Sequence, residues 1–221
     1  MNSFRTVLER AQADITEKKS RFIATVIPAG QEEEAERLLV ELRKKYWDAN
    51  HNVYAYRIGL GKTIERFSDD KEPVHTAGMP ILSLLRKEEL HNVCVVVTRY
   101  FGGTLLGTGG LVRAYSKAAQ EALQKARIIT KEPYVQYGLD LDYAMLGKMQ
   151  YTLSEKEWTV LDTLFEENVR MKLLIPLREQ DEFLKTMREA SDGKLHPVCG
   201  KTVLAACDGG EWHYFNMPQE K

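Results

Sequence analysis

Apolar and polar positions follow two different periods along the first 130 residues. Two runs rich in β-branched and aromatic residues flank the polar turn Glu17–Ser20, which predicts a pair of strands between residues 13 and 29. From Gly30 to residue 47, apolar residues recur at three- and four-residue steps, and this spacing predicts a helix. The same reasoning predicts a strand over 51–58, a helix over 76–90, a strand over 93–97 and a helix ending near Arg127.

The strand over 93–97 is continuously apolar and β-branched, which is typical of a strand buried on both faces in the middle of a sheet. Cys94 lies within it and is expected to be a small core residue.

The second part of the chain predicts strands and helices in a βαββαβ order, which is the ferredoxin-like arrangement. The predicted elements are a strand over 134–141, a helix over 142–153, strands over 158–165 and 169–176, a helix over 179–190 and a strand over 196–206. Since proline interrupts helices and central strands, Pro133 marks the predicted boundary between a domain of residues 1–132 and a domain of residues 133–208. Residues 209–221 have no clear period and are expected to form a loosely held tail.

Composition and charge restrict the class of protein but do not identify a function. The 221 residues include 31 basic and 32 acidic side chains, and no apolar run approaches the length of a membrane span. Residues 1–132 carry 21 basic and 17 acidic side chains, and neither half of the chain is a polybasic nucleic-acid module. A local basic patch can still act at physiological salt, so composition permits RNA or phosphate binding but does not argue for it. Three cysteines without CxxC spacing and the absence of a secretory signal predict a cytoplasmic protein.

A glycine-rich loop between the buried strand and the following helix is the most unusual stretch of the chain. Such a loop at a helix N-terminus directs backbone amides at an anion, and flanking arginines add positive charge. The spacing matches neither the Walker pattern nor GxGxxG, and a tight strand-to-helix crossover is the alternative interpretation. The predicted anion- or RNA-binding residues are Arg99, Gly102, Gly103, Gly107, Gly109, Gly110 and Arg113.

A second cluster of polar residues, Glu65–Gly78, contains three carboxylates within four positions. Carboxylates could hold a divalent cation, but neighbouring aspartates more often cap turns and pair with arginine or lysine. The chain has no recognisable nucleophile motif and no paired histidines at metal-binding spacing. We therefore predict no catalytic residue, no metal and no cofactor.

The two loops together resemble the YigZ/IMPACT family, in the bacterial YigZ-like branch that has a C-terminal ferredoxin-like domain. The resemblance covers about 130 N-terminal residues, in the segments 48–59, 66–81 and 97–115. Beside the glycine loop, the residues that carry it are His51, Arg66, Ser68, Asp69, Asp70, Glu72, Thr76, Gly78, Tyr100, Phe101 and Tyr115.

The resemblance implies an α+β fold, whose N-terminal domain is similar to domain IV of elongation factor G and to the related ribosomal-protein and GHMP-kinase folds. It also implies regulation of translation, since eukaryotic members of the family act in this way. The expected partner is RNA, the ribosome or a translation-associated protein, and not a membrane. Where the family commonly has glycine, this chain has Lys71 and His75, and Val74 replaces a serine. Should residue 71 need a positive φ, lysine would cost about 1 kcal/mol.

Three hypotheses follow from these patterns. The first is a binding module without enzymatic activity that contacts its partner through the glycine loop. The second is a small-molecule enzyme or a nucleotide- or phosphate-binding protein that uses the same loop. The third is that both loops are structural, with Arg66 and Arg99 paired to Asp69, Asp70 or Glu72.

Overall fold

The computed structural model, which describes residues 3–215, divides the chain into an N-terminal unit, Phe4–Thr130, and a C-terminal unit that begins at Lys131. The N-terminal unit contains β1 (Phe4–Val7), β2 (Ala11–Glu17), β3 (Ser20–Pro28), α1 (Glu32–Lys45), β4 (His51–Ile58), β5 (Ile64–Ser68), α2 (Gly78–Lys87), β6 (Val93–Tyr100) and α3 (Thr108–Lys125). The predicted helices and strands are all present. The sequence analysis missed the short strands β1 and β5.

The N-terminal sheet is antiparallel throughout and has the order β2-β3-β6-β4-β5. Alternate residues of β6 face opposite sides, so Val95 and Val97 pack with α2 and α3 whereas Cys94 and Val96 pack with α1. The prediction of a central strand buried on both faces is confirmed. Cys94 is fully buried, and this burial raises the pKa of its thiol to about 12.

The C-terminal unit has the ferredoxin-like topology that the sequence predicts. Its elements are β7 (Ile128–Leu141), which starts in the N-terminal unit, α4 (Tyr143–Glu155), β8 (Thr159–Phe165), β9 (Val169–Pro176), α5 (Gln180–Ala190), β10 (Val198–Asp208) and β11 (Glu211–Phe215). The antiparallel order β10-β7-β9-β8 places the fourth, first, third and second strands of the motif side by side. The α+β fold class is therefore confirmed.

Two predictions about the second part of the chain need correction. β7 continues through Pro133, which is paired with Leu204 of β10, whereas pairing with β9 begins only at Tyr134. Glu211–Phe215, placed in the tail by the sequence analysis, form β11 on β10, while residues 216–221 of that tail lie outside the described residues. No helix in residues 3–215 has both the length and the apolar character to cross a membrane.

Candidate functional site

The loop between β5 and α2 is organised by its two aspartates. Asp69 accepts hydrogen bonds from the backbone amides of Ala77 and Gly78, at 3.0 and 2.8 Å, and so caps the first turn of α2. It also accepts the His75 amide at 2.8 Å. Asp70 uses a carboxylate oxygen to accept the amide of Asn52 at 2.6 Å, which ties the loop to β4. The aspartates therefore hold the loop in place.

The backbone of this loop has an unusual conformation. Asp70, Lys71 and His75 all have positive φ, at 40°, 71° and 62°. Lys71 and His75 stand where the family that the sequence resembles commonly has glycine, which adopts such angles without strain. The condition under which a strain of about 1 kcal/mol was expected at Lys71, a positive φ, is met. The hydrogen bonds of the neighbouring aspartates and of Thr76, whose hydroxyl donates to the Pro73 carbonyl, hold residues 71 and 75 in this conformation.

Glu72 is the buried centre of this region. One of its carboxylate oxygens accepts hydrogen bonds from Arg99 at 2.6 Å and from the Tyr115 hydroxyl at 2.7 Å. Burial, together with the negative charge of Glu72, raises the pKa of Tyr115 far above its ordinary value, so the phenol stays a donor. Glu72 thus joins the motif loop to β6 and α3.

His51 lies beside this cluster, and both of its ring nitrogens face the motif loop. Its Nδ1 lies 2.8 Å from the carbonyl oxygen of Asp70, and since a carbonyl only accepts, this nitrogen carries a proton. Its Nε2 lies 3.6 Å from the Glu72 carboxylate. The ring is therefore engaged on both sides by the loop.

Arg99 is not the free cation beside the glycine loop that the sequence analysis predicted. Arg99 is only 5% exposed, and its charge is balanced by Glu72 inside the protein. The guanidinium also lies against the rings of Phe22 and Phe101, at 5.3 and 5.6 Å from their centroids, and its Nε has no hydrogen-bond partner among the described residues. Arg99 therefore supports the loop from within.

The other arginine of the structural hypothesis has a different partner. Arg66 donates to Glu32 in α1 at 2.8 Å, and not to Asp69, Asp70 or Glu72. Tyr56 also donates to this carboxylate, and the two bonds lower the pKa of Glu32. Ser68 accepts the Asp70 amide at 3.2 Å and acts as a turn residue. The pairing predicted for Arg99 with Glu72 is confirmed, whereas that for Arg66 is wrong.

The glycine loop begins with two glycines in different surroundings. A Cβ on Gly102 would lie 2.0 Å from the carbonyl carbon and oxygen of Lys19, and the Gly102 amide donates to Ser20 Oγ. Gly102 is therefore a packing position beside the β2–β3 turn. Gly103 and Gly107 have positive φ, at 79° and 73°, and face open space.

The first turn of α3 leaves its amides available. Gly107 precedes the helix without a side-chain cap, and no acceptor in residues 3–215 bonds the amides of Thr108, Gly109 and Gly110. A guanidinium nitrogen of Arg113 lies 3.6 Å from the position of a Cβ on Gly109, which brings this exposed cation back to the first turn. No acidic side chain in the described range pairs with Arg113.

Two lysines that the sequence analysis treated as turn residues belong to the same surface. Lys18 and Lys19 are exposed and have no acidic partner in the part of the chain that the structure describes. Their turn abuts Gly102, and the adjoining Glu17 pairs with Lys117, one helical turn after Arg113. We call Lys18, Lys19, Arg113 and the amides of Thr108–Gly110 the glycine-loop surface. In the sequence, the signal that could have identified this part of the surface was the pair of consecutive lysines.

Tyr100 and Phe101 connect the end of β6 to the segment before β4. The Tyr100 hydroxyl donates to Asp48 at 2.8 Å, and the Phe101 amide donates to the Asn50 side chain at 2.7 Å. Phe101 is nevertheless 45% exposed. Among residues 3–215, no group of three or more histidine, cysteine or carboxylate side chains is arranged to hold a metal ion.

Comparison with known proteins shows the family to which this chain belongs. The Impact N-terminal domain matches residues 18–123, and a Domain of unknown function (DUF1949) matches residues 139–194. The chain is 37% identical over 194 residues to the IMPACT family member YvyE of Bacillus subtilis, which covers 88% of this chain and 89% of YvyE. The chain therefore belongs to the IMPACT family.

Two further relatives extend the comparison. The chain is 37% identical over 98 residues to Protein IMPACT of Rattus norvegicus, covering 43% of this chain and 31% of the rat protein. A crystal structure described as that of an hypothetical protein has 30% identity and a TM-score of 0.58, covering 91% of this chain and 98% of that one. The family therefore includes eukaryotic as well as bacterial proteins.

Proposed function

We propose that this protein binds the phosphate backbone of RNA through the glycine-loop surface, as part of regulation linked to translation. The observation that carries the proposal is the exposed first turn of α3, whose unpaired amides lie beside Arg113. Amides at a helix N-terminus attract anions because each is an unsatisfied donor and the helix dipole adds partial positive charge. Lys18 and Lys19 add two cations on the neighbouring turn.

The buried cluster under this surface has a structural role in the proposal. Removing one partner of a buried ion pair such as Glu72–Arg99 costs about 3–5 kcal/mol, since the other charge is left unpaired. The cluster joins the motif loop, β6 and α3, and therefore fixes the strand from which the glycine loop starts. Arg99 contributes to binding only through this positioning.

The buried cluster offers no support for the alternative of an enzyme. In residues 3–215, the best candidate for a general base is His51, but its two ring nitrogens face Asp70 and Glu72. A binding surface made of amides and cations is the arrangement that the geometry favours.

Salt-dependent binding of a fluorescent 12-nucleotide oligouridylate tests the proposal. The logarithm of the affinity should fall linearly with that of the salt concentration, with a slope of about −0.7 per phosphate contact. Arg113→Gln, and Lys18→Gln combined with Lys19→Gln, should each weaken binding and make the slope shallower by about 0.7 per lost contact.

Arg43→Gln is the matched control, because α1 packs on the opposite sheet face and Arg43 is exposed without an acidic partner in the described residues. Binding that ignores salt, or that falls equally with Arg43→Gln, contradicts the proposal. Gly109→Ala tests the backbone part separately. Its Cβ meets only the end of Arg113, so the fold should hold, while the methyl group should obstruct phosphate approach to the amides.

A further inference from the structure

Phe101 is an exposed aromatic ring whose inner side is supported by a buried cation. The Arg99 guanidinium lies 5.6 Å from the ring centroid, and its own side chain is 6% exposed. Glu72 holds Arg99 at 2.6 Å, and Asn50 holds the Phe101 amide at 2.7 Å. The backbone and one side of Phe101 are thus fixed, although 45% of the residue remains accessible.

The position of this ring relates it to the phosphate-binding elements. Phe101 begins the loop that ends at Gly107, where α3 and its unpaired amides start. The same loop carries Leu105, a residue that is 83% exposed and available to pack against a base or a ribose. Gly103 lies between them and faces open space. One loop therefore presents apolar groups at its start and middle and anion-binding groups at its end.

We propose that Phe101 stacks on an unpaired base, so that the RNA recognised by this surface is single-stranded. This inference rests on the proposed function and adds the class of RNA to it. Every base has an apolar face that stacks on an aromatic ring, whereas bases inside a duplex are already stacked on their neighbours. A fixed ring loses little conformational freedom on binding, which favours its use as a stacking platform.

The inference is tested with two strands that have equal charge and differ in their bases. One is the 12-nucleotide oligouridylate, and the other is an abasic ribose-phosphate strand of the same length. One stacked base should make the wild-type protein bind the oligouridylate about 5- to 150-fold more tightly than the abasic strand. Phe101→Leu should remove this preference and leave the affinity for the abasic strand unchanged, whereas Phe101→Trp should retain it.

Tyr151→Leu is the control, since Tyr151 is an exposed aromatic residue on α4 in the C-terminal unit. Equal affinity of the wild-type protein for the two strands, or a Phe101→Leu variant that keeps the preference, overturns the stacking inference alone. Such results leave the salt dependence and the effect of Arg113→Gln intact. Loss of those two effects overturns the proposed function itself. Circular dichroism verifies that each variant is folded.

Discussion

At the scale of single residues, Gly102 and Gly103 are adjacent but are glycine for different reasons: close packing at Gly102 and backbone conformation at Gly103. A Cβ on Gly102 would collide with the Lys19 backbone at 2.0 Å, and backbone atoms cannot rotate away. Gly102→Ala should therefore lower the free energy of unfolding by at least about 2 kcal/mol. At Gly103 there is open space, and alanine would incur only the strain of φ at 79°, roughly 1 kcal/mol.

Urea denaturation of the two variants and the wild-type protein measures this difference. Gly103→Ala serves as the matched control, because it makes the same chemical change one residue away. Equal losses in the two variants would mean that the end of β6 and the β2–β3 turn are not in the close contact described above.

Arg99 and Arg113 show how far single residues could be predicted. In sequence, both flank the glycine loop and carry the same charge. The structure buries one against Glu72, which is 27 residues earlier, and leaves the other at the helix surface. That difference depends on a tertiary contact between the motif loop and β6, and no local pattern encodes it. The conformation of Lys71 stayed a condition in the sequence analysis, since a glycine at that position permits a positive φ without requiring one.

At the scale of elements, Glu65 connects β5 to its neighbours. It accepts hydrogen bonds from Arg57 on β4, at 2.8 Å, and from Arg86 on α2, at 3.0 Å. The hydrogen bond from Arg86 is the main cause that holds the pKa of Glu65 below its ordinary value of 4.5. Because the unfolded chain binds this proton more readily, the stabilisation is present above about pH 4.5 and is lost as pH falls through the folded-state pKa.

We therefore expect Glu65→Gln to lower the free energy of unfolding by about 1–2 kcal/mol at pH 7. The difference from the wild-type protein should shrink as the pH falls through the folded-state pKa of Glu65, because the wild-type carboxyl group then becomes neutral as well. Urea denaturation at several pH values measures it. Glu167→Gln is the control, as Glu167 is exposed and has no ion pair in the described part of the chain. A difference for Glu65→Gln that does not vary with pH would contradict this account.

Elements with strong apolar periodicity were predictable, and those without it were not. β6 and α3 contain apolar residues at the period of their structure, so local pattern and fold agree. β5 has no buried residue, because its side chains lie at the exposed edge of the sheet and form ion pairs. The sequence therefore predicted a polar loop there. β11 was missed for a similar reason, since it too is an edge strand without a buried residue.

At the scale of the whole molecule, the two units have separate hydrophobic cores. The core of α4, α5 and their sheet shares no buried residue with the two cores of the N-terminal unit. This division was predictable from the change in element order and from family resemblance. The proposed binding surface lies entirely in the N-terminal unit, so damage to the C-terminal core should affect stability and RNA binding differently.

Phe183→Ala tests this separation. Phe183 is fully buried and packs against Tyr137 and Trp158, with ring centroids 4.8 and 5.2 Å apart, so its removal should cost about 3–5 kcal/mol. Hydrogen exchange should quicken at the amides of β8 and β9 while those of β3 and β6 stay protected, and oligouridylate affinity should be retained. Leu85→Ala, a buried change on α2, should produce the reverse pattern. Faster exchange in β6 of the Phe183→Ala variant would show that the two cores unfold together, because a cavity in one independent core cannot open the other.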